Sequence, residues 1–421
     1  MSELQSSAPI KNRGWSVTFA GMGINLALGI LYTWSVISKG VPPEWNWSET
    51  DKSLPFMFAC IVFAIVMVPA GRMQDKLSPK LVASIGGILV GLGLIFASQN
   101  TSPLGYLVGF GILAGAGFGF GYASATPPAV KWFPASRTGL IAGLVVSGFG
   151  LASLYAAPLS QWLIATYSIQ TAVLILGIAF LIIVVGLAQL LQPPPPGFSA
   201  VKLASPAAAA SAPTKRVKKE NFEAGEMLKT PQFYLMWFMY ACGSGAGLMV
   251  ISKLAAIADK QAGIHLGYVL VAMLAIGNGG GRIIAGMLSD KIGRKATLFL
   301  CFVVQAVLIM LLSITKAGTV LATVPMLSIL SALIGANYGA NLSLFPSLTK
   351  DYFGLKNFGV NYGLVFTSWG VGGFMLSYLA GKMYDIYSTF AVAYYGASIL
   401  LVIAAVMIFT LKPPHHTEQA S

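Results

Sequence analysis

Charge is what this sequence has least of. Of its 421 residues only 9% are Asp, Glu, Lys or Arg, while 56% are hydrophobic; soluble domains carry charge on about a quarter of their residues. A mean hydropathy of +0.76 adds to that balance, which excludes a water-soluble fold and calls for an integral membrane protein. Cysteine is scarce as well. Cys60, Cys242 and Cys301 all fall in apolar runs, so neither a disulfide framework nor a metal site is expected. The apolar runs hold no histidine, no paired acids and no nucleophile beside a base, which leaves no enzyme site and no call for a cofactor. A phosphate-binding loop is missing too. Gly115-Ala116-Gly117-Phe118-Gly119 contains a G-x-G, but it lacks the preceding strand and the acid about 20 residues on that a dinucleotide loop needs. Those glycines read as close helix packing.

Apolar runs of spanning length are present near 16–38, 53–71, 79–99, 104–130, 139–163 and 168–191, and again near 233–258, 267–289, 295–315, 319–348, 358–381 and 388–411. The fold expected is all-α, twelve transmembrane helices in two six-helix halves: 1–192, a linker at 193–231, 232–412, and a tail at 413–421. The linker opens on Pro193-Pro194-Pro195-Pro196-Gly197 and carries the basic run Lys215-Arg216-Val217-Lys218-Lys219, a composition that builds no core. His415 and His416 in the tail are taken as solvated. The halves repeat. Gly71-Arg72-Met73-Gln74-Asp75-Lys76 returns as Gly286-Met287-Leu288-Ser289-Asp290-Lys291, and Gly143-Leu144-Val145 through Gly150 returns as Gly363-Leu364-Val365 through Gly370. Two six-span halves joined by a long linker make the plan of a secondary transporter with its site between the halves.

The net charge of +13 would suggest nucleic acid in a soluble protein. Here the bases gather instead on the side of the chain ends and linker, Arg72, Lys76, Lys131, Arg137, Lys291, Arg294, Lys295, Lys350 and Lys356 among them, whereas Lys39, Lys52, Lys260, Lys316 and Lys382 fall opposite. No nucleic acid partner is expected, and the positive-inside rule puts both termini and the linker in the cytoplasm. The polar opening to Trp15 leads into a run too long for a signal core, so no cleaved leader is expected.

One base breaks the pattern. Arg282 stands inside a span behind Gly277-Asn278-Gly279-Gly280-Gly281. An arginine at membrane depth costs roughly 2.5–3.5 kcal/mol on insertion scales and usually faces a partner or a wet cavity. The reading adopted is an anion ligand, with Asn278 one turn earlier on the same face; the alternative is a side chain that snorkels to the headgroups. Tyr122 and Tyr338 offer apolar walls with a hydroxyl each, or are ordinary packing aromatics. Asp259 is the acid near a span end without a loop motif around it, with Lys253 nearby. It reads either as the group that takes up a proton or, with Lys253, as part of the outer mouth.

The stretch Gly286 to Lys295, G-x-L-x-D-x-x-G-R-K, resembles the loop signature of the major facilitator superfamily, whose Asp and Arg tie neighbouring helices together. That resemblance implies a conformational role for Asp75, Asp290 and Arg294. Other stretches are similar to the monocarboxylate transporter family and its oxalate-formate antiporter branch: Arg282 at the place of the eighth-span arginine, Asn361-Tyr362-Gly363, the stretch Gly225 to Phe233, and Trp132-Phe133-Pro134 with Arg137. The departures are specific. Of the first-span signature only Gly14 and Trp15 remain; Ala135 and Ser136 replace two bases of the fifth-span signature. Asn278 stands where animal members have an aspartate, and Trp369 where the antiporter has a lysine. The resemblance implies a transporter of small monocarboxylates, lactate or a close relative, moving with a proton in the inner membrane as a monomeric unit. A tryptophan at 369 suits a substrate with one carboxylate and an alkyl group; the alternative is that it only packs between helices, like its repeat partner Phe149. Exchange of organic anions, as in the antiporter branch, is the alternative.

Overall fold

A computed structural model describes residues 12–133, 138–195, 198, 221–354 and 357–414, without the side chains of 75, 138 and 139. The expectations on Asp75, Arg137, Lys356, the basic run at 215–219, His415 and His416 therefore lie outside the described residues or side chains.

Serine and threonine caps followed by proline or an acid set four of the helix starts. The first span, α1 (Gly14–Lys39), is followed by α2 (Glu49–Lys76), which begins on a capping box: Ser48 Oγ accepts from the Asp51 amide and Asp51 accepts from that of Ser48. Ser78 and Pro79 open α3 (Pro79–Ser98), and Ser102 and Pro103 open α4 (Pro103–Val130). α5 (Thr138–Thr166) and α6 (Ile169–Ala188) complete the first set. After a one-turn helix at Ala224–Met227, Thr230 and Pro231 start α7 (Pro231–Gln261). Then come α8 (Gly267–Ile292), α9 (Arg294–Ser313), α10 (Val324–Phe353), α11 (Phe358–Tyr387) and α12 (Ala391–Met407). Among the described residues, α1 to α11 are long and apolar enough to cross a membrane, and α12 is a shorter apolar helix of 17 residues. Apolar side chains such as Phe19, Ile182, Ile283 and Ile284 lie exposed on the outside of the bundle, as lipid contact requires.

Three local features depart from the sequence pattern. α1 tightens into a 3-10 turn at Gly29–Thr33, where a Cβ on Gly29 would overlap Ala152 of α5. α10 runs about one turn later than its hydropathy suggests, because hydropathy fades at the Lys350 end while the backbone ladder continues to Phe353. The last stretch of the expected linker is ordered: Phe222 is buried, its amide donates to the Phe353 carbonyl, and Asn357 and Asn361 both donate to its carbonyl oxygen.

The helices that matter for the site are those that meet across the two sets of six. α2 packs along α11, α5 along α8, and the end of α1 against α7. The glycine run of α8 serves a different contact. A Cβ on Gly277 or Gly281 would overlap the carbonyl oxygens of Ala332 and Ala336, so these glycines seat α8 directly on the backbone of α10.

Candidate functional site: an arginine and an aromatic cluster between the helix sets

α8 delivers Arg282 to the seam with α5. Its Nη1 donates to the Val146 carbonyl at 2.9 Å and its Nε to Asn278 Oδ1 at 3.3 Å. Nη2 has no acceptor among the described residues, and it points past Gly150, where an added Cβ would sit 3.3 Å away. The arginine is half-buried and its headgroup is turned to a neighbouring helix. Asn278 is fully buried, and with its oxygen committed to Arg282 its Nδ2 is left without a partner among the described residues. An orphan donor beside a free guanidinium edge is an arrangement that a carboxylate would complete.

The walls are aromatic. Tyr32, in the tightened turn of α1, meets Tyr338 of α10 hydroxyl to hydroxyl at 2.6 Å, and Trp369 of α11 donates its indole N–H to the same Tyr338 oxygen at 2.8 Å. Phe63 of α2 touches both Phe149 and Trp369, with ring centroids 5.8 and 5.1 Å away. Tyr122 of α4 packs edge-on against Phe63 and Phe149 at 5.4 and 5.5 Å. Tyr32 and Tyr122 both reach Phe149, the neighbour of the Gly150 that Arg282 approaches, which sets the aromatic cluster beside the guanidinium. A recess of 440 Å³ elsewhere is lined by Val68, Pro69, Arg72, Met73 and Lys76 of α2 and by Leu77 just after it, and none of these site residues borders it.

At the face opposite the chain ends, acids and bases close the seam. Glu49, the first residue of α2, is 5% exposed and takes Lys253 at 3.1 Å, Lys260 at 2.7 Å and Lys52 at 3.2 Å. Lys253 also donates to the Glu49 backbone carbonyl at 2.7 Å. Asp259 is elsewhere on α7, held by Lys39 of α1 at 3.0 Å and by His265 Nδ1 at 2.6 Å. Asp385 of α11 accepts the backbone amides of Glu49 and Thr50 at 2.8 and 2.9 Å. At the other face Arg294 pairs with Asp290 at 2.8 Å and with Asp351 of α10 at 3.5 Å, and it contacts Ser289.

The structure thus brings Arg282, Asn278, Tyr122, Tyr338 and Trp369 to one centre, and joins Asp290 to Arg294. It does not bring Lys253 to Asp259: the lysine faces Glu49 and the aspartate faces Lys39, on opposite flanks of α7. Two residues escaped the sequence reading. Tyr32 looked like one more apolar-span aromatic, and its partner is 306 positions away. Glu49 looked like a routine acid in a helix first turn, and only its lysines from α7 give it another meaning.

Twelve apolar helices meeting across two sets of six, with a site at their seam, describe a multi-pass carrier. The family model of the Major Facilitator Superfamily matches residues 14–268 and 256–421, and the chain belongs to that superfamily. An uncharacterized MFS-type transporter, YhjX of Escherichia coli, is 27% identical over 85% of this chain and 85% of its own. The oxalate:formate antiporter of Oxalobacter formigenes is 27% identical over 85% of this chain and 82% of its own. Monocarboxylate transporter 11 of Mus musculus is 28% identical over 42% of this chain and 40% of its own. Among solved structures, a bacterial homologue of the lysosomal transporter Spinster, inward-facing and unoccupied, aligns with a TM-score of 0.65 at 16% identity over 95% of this chain and 97% of that one, a likeness of fold.

Proposed function

We propose that this member of the superfamily carries small monocarboxylates, lactate or a close relative, together with a proton by alternating access, and that it performs no covalent chemistry. The observation that carries the reading is the guanidinium at the centre: Arg282 has a free edge, the orphan Asn278 amide lies beside it, and the aromatic cluster around Phe149 packs next to them. One fixed cation balances one carboxylate, and a second carboxylate left unpaired in a poorly hydrated site would cost several kcal/mol. Trp369 adds to this, since its ring lies against Phe63 and Phe366 where a short alkyl group finds apolar contact. Asp259, whose lysine partner comes from the other set of helices, is the proposed proton carrier. Arg13, Arg72, Lys76, Lys131, Lys291 and Lys295, at the ends of their helices, support a plasma-membrane orientation with both termini cytoplasmic.

Uptake of labelled lactate into proteoliposomes, with and without an imposed pH gradient, tests the reading. A gradient-driven accumulation without internal anion is expected. Exchange is the second reading, favoured by the similarity to a protein named for antiport. It predicts uptake only into vesicles preloaded with an anion.

A further inference from the structure

We propose that Lys253 is a second, outer carboxylate site, and that Glu49 occupies it whenever the face opposite the chain ends is shut. The inference rests on the monocarboxylate reading above, and it starts from where the partners of Lys253 come from. The residue is 2% exposed, and both acceptors of its ammonium, the carboxylate and the backbone carbonyl of Glu49, belong to α2 across the seam. α7 itself supplies no partner for it among the described residues. When the seam parts at this face the ammonium loses both acceptors together. A cation in a poorly hydrated wall needs an anion in their place, and the anion arriving from that side is the substrate.

Glu49 is suited to the part of occupant. It is a carboxylate of the same chemistry as the proposed cargo, and three ammonium groups surround it: Lys253 and Lys260 from α7 and Lys52 from its own helix. Asp385, on the Glu49 and Thr50 amides, and Asp259, on Lys39, balance the other bases of this face, so what an entering anion meets is the Lys253 ammonium itself rather than a net charge of the mouth. Lys260 is fixed further by the ring of Tyr384, 4.4 Å from its Nζ. An entering carboxylate would take Lys253 from Glu49, hold that face open while bound, and pass inward to Arg282. Departure of the substrate returns Glu49 to Lys253 and closes the mouth. Substrate and gate thus compete for one ammonium.

The test separates this from a plain latch, because the two partners then have opposite effects. Half-saturation for lactate is measured from each side of oriented proteoliposomes. Glu49→Gln removes the competitor and keeps the ammonium, so half-saturation from the mouth side should fall about threefold as the competent state becomes more populated. Lys253→Met removes the site, so it should rise about tenfold or more on that side, with affinity from the opposite side not weakened to match. The double variant should follow Lys253→Met. If the pair were only a latch, breaking it from either partner would favour the open state equally. Half-saturation falling in both single variants, or falling in the double variant, overturns the proposal. Should Lys253→Met fail to reach the membrane, Lys253→Gln carries the same expectation. Parent protein that moves no small carboxylate at all would overturn the functional reading itself, which is a different outcome from shifts of equal sign in a working carrier.

Discussion

Replacing Arg282 by lysine keeps the charge and removes the fork, and the structure gives the size of the effect. The guanidinium spends Nη1 on Val146 and Nε on Asn278, and keeps Nη2 for a ligand. An ammonium is a point donor on an unforked stem. It cannot hold two protein oxygens on different helices and still offer an in-plane donor to a carboxylate. The loss is one charge-assisted hydrogen bond and part of a second, at about 1.5–3 kcal/mol for each such bond. A total near 2–3 kcal/mol corresponds to a roughly 30- to 150-fold higher half-saturation. Initial rates of labelled lactate uptake over a wide concentration range, in proteoliposomes with matched protein content, read this directly. An affinity for Arg282→Lys within about threefold of the parent, under 1 kcal/mol, would refute the forked ligand and favour a headgroup-seeking side chain.

Asp259→Asn should abolish the acceleration of uptake by an inward proton gradient while exchange of labelled for unlabelled substrate continues; an unchanged pH dependence moves the coupling to another group. Lactate, pyruvate and acetate should compete for uptake while oxalate and malonate do not, and strong inhibition by oxalate at neutral pH would contradict a centre with one cation. Tyr338→Phe strips the oxygen that serves both Tyr32 and Trp369, leaving a buried indole N–H unpaired at about 1–3 kcal/mol. Its melting temperature in detergent should therefore fall further than that of Tyr32→Phe, and the reverse order would show that the hydroxyl chain is not organised around Tyr338.

The helices were legible because each span is a local fact: some twenty apolar residues announce themselves without reference to the rest of the chain. Arg282 was legible for the same reason, as a charge where charge is costly. Asn278 was found through helical spacing alone. What escaped were relations between distant residues. Nothing within a few residues of Glu49 distinguishes it from any acid in a first turn, and its lysine Lys253 lies 204 positions on. Tyr32 is hidden the same way. The 3-10 turn of α1 lies where Gly29 comes close to Ala152, a neighbour 123 positions away, and the end of α10 is set by a backbone ladder that hydropathy does not report.

The cap of α2 carries a consequence for how the mouth can be watched. Amides in the first turn of a helix have no acceptor within it, and those of Glu49 and Thr50 find theirs in Asp385, at the far end of α11. The negative carboxylate also faces the positive end of the α2 dipole. One helix is therefore finished by a residue from the other set of six. Each time that face opens, the two amides must trade a carboxylate for water, and the first turn frays or is solvated until the residues meet again. Their exchange with solvent deuterium is thus a clock for the opening itself, one that ticks without substrate or mutation.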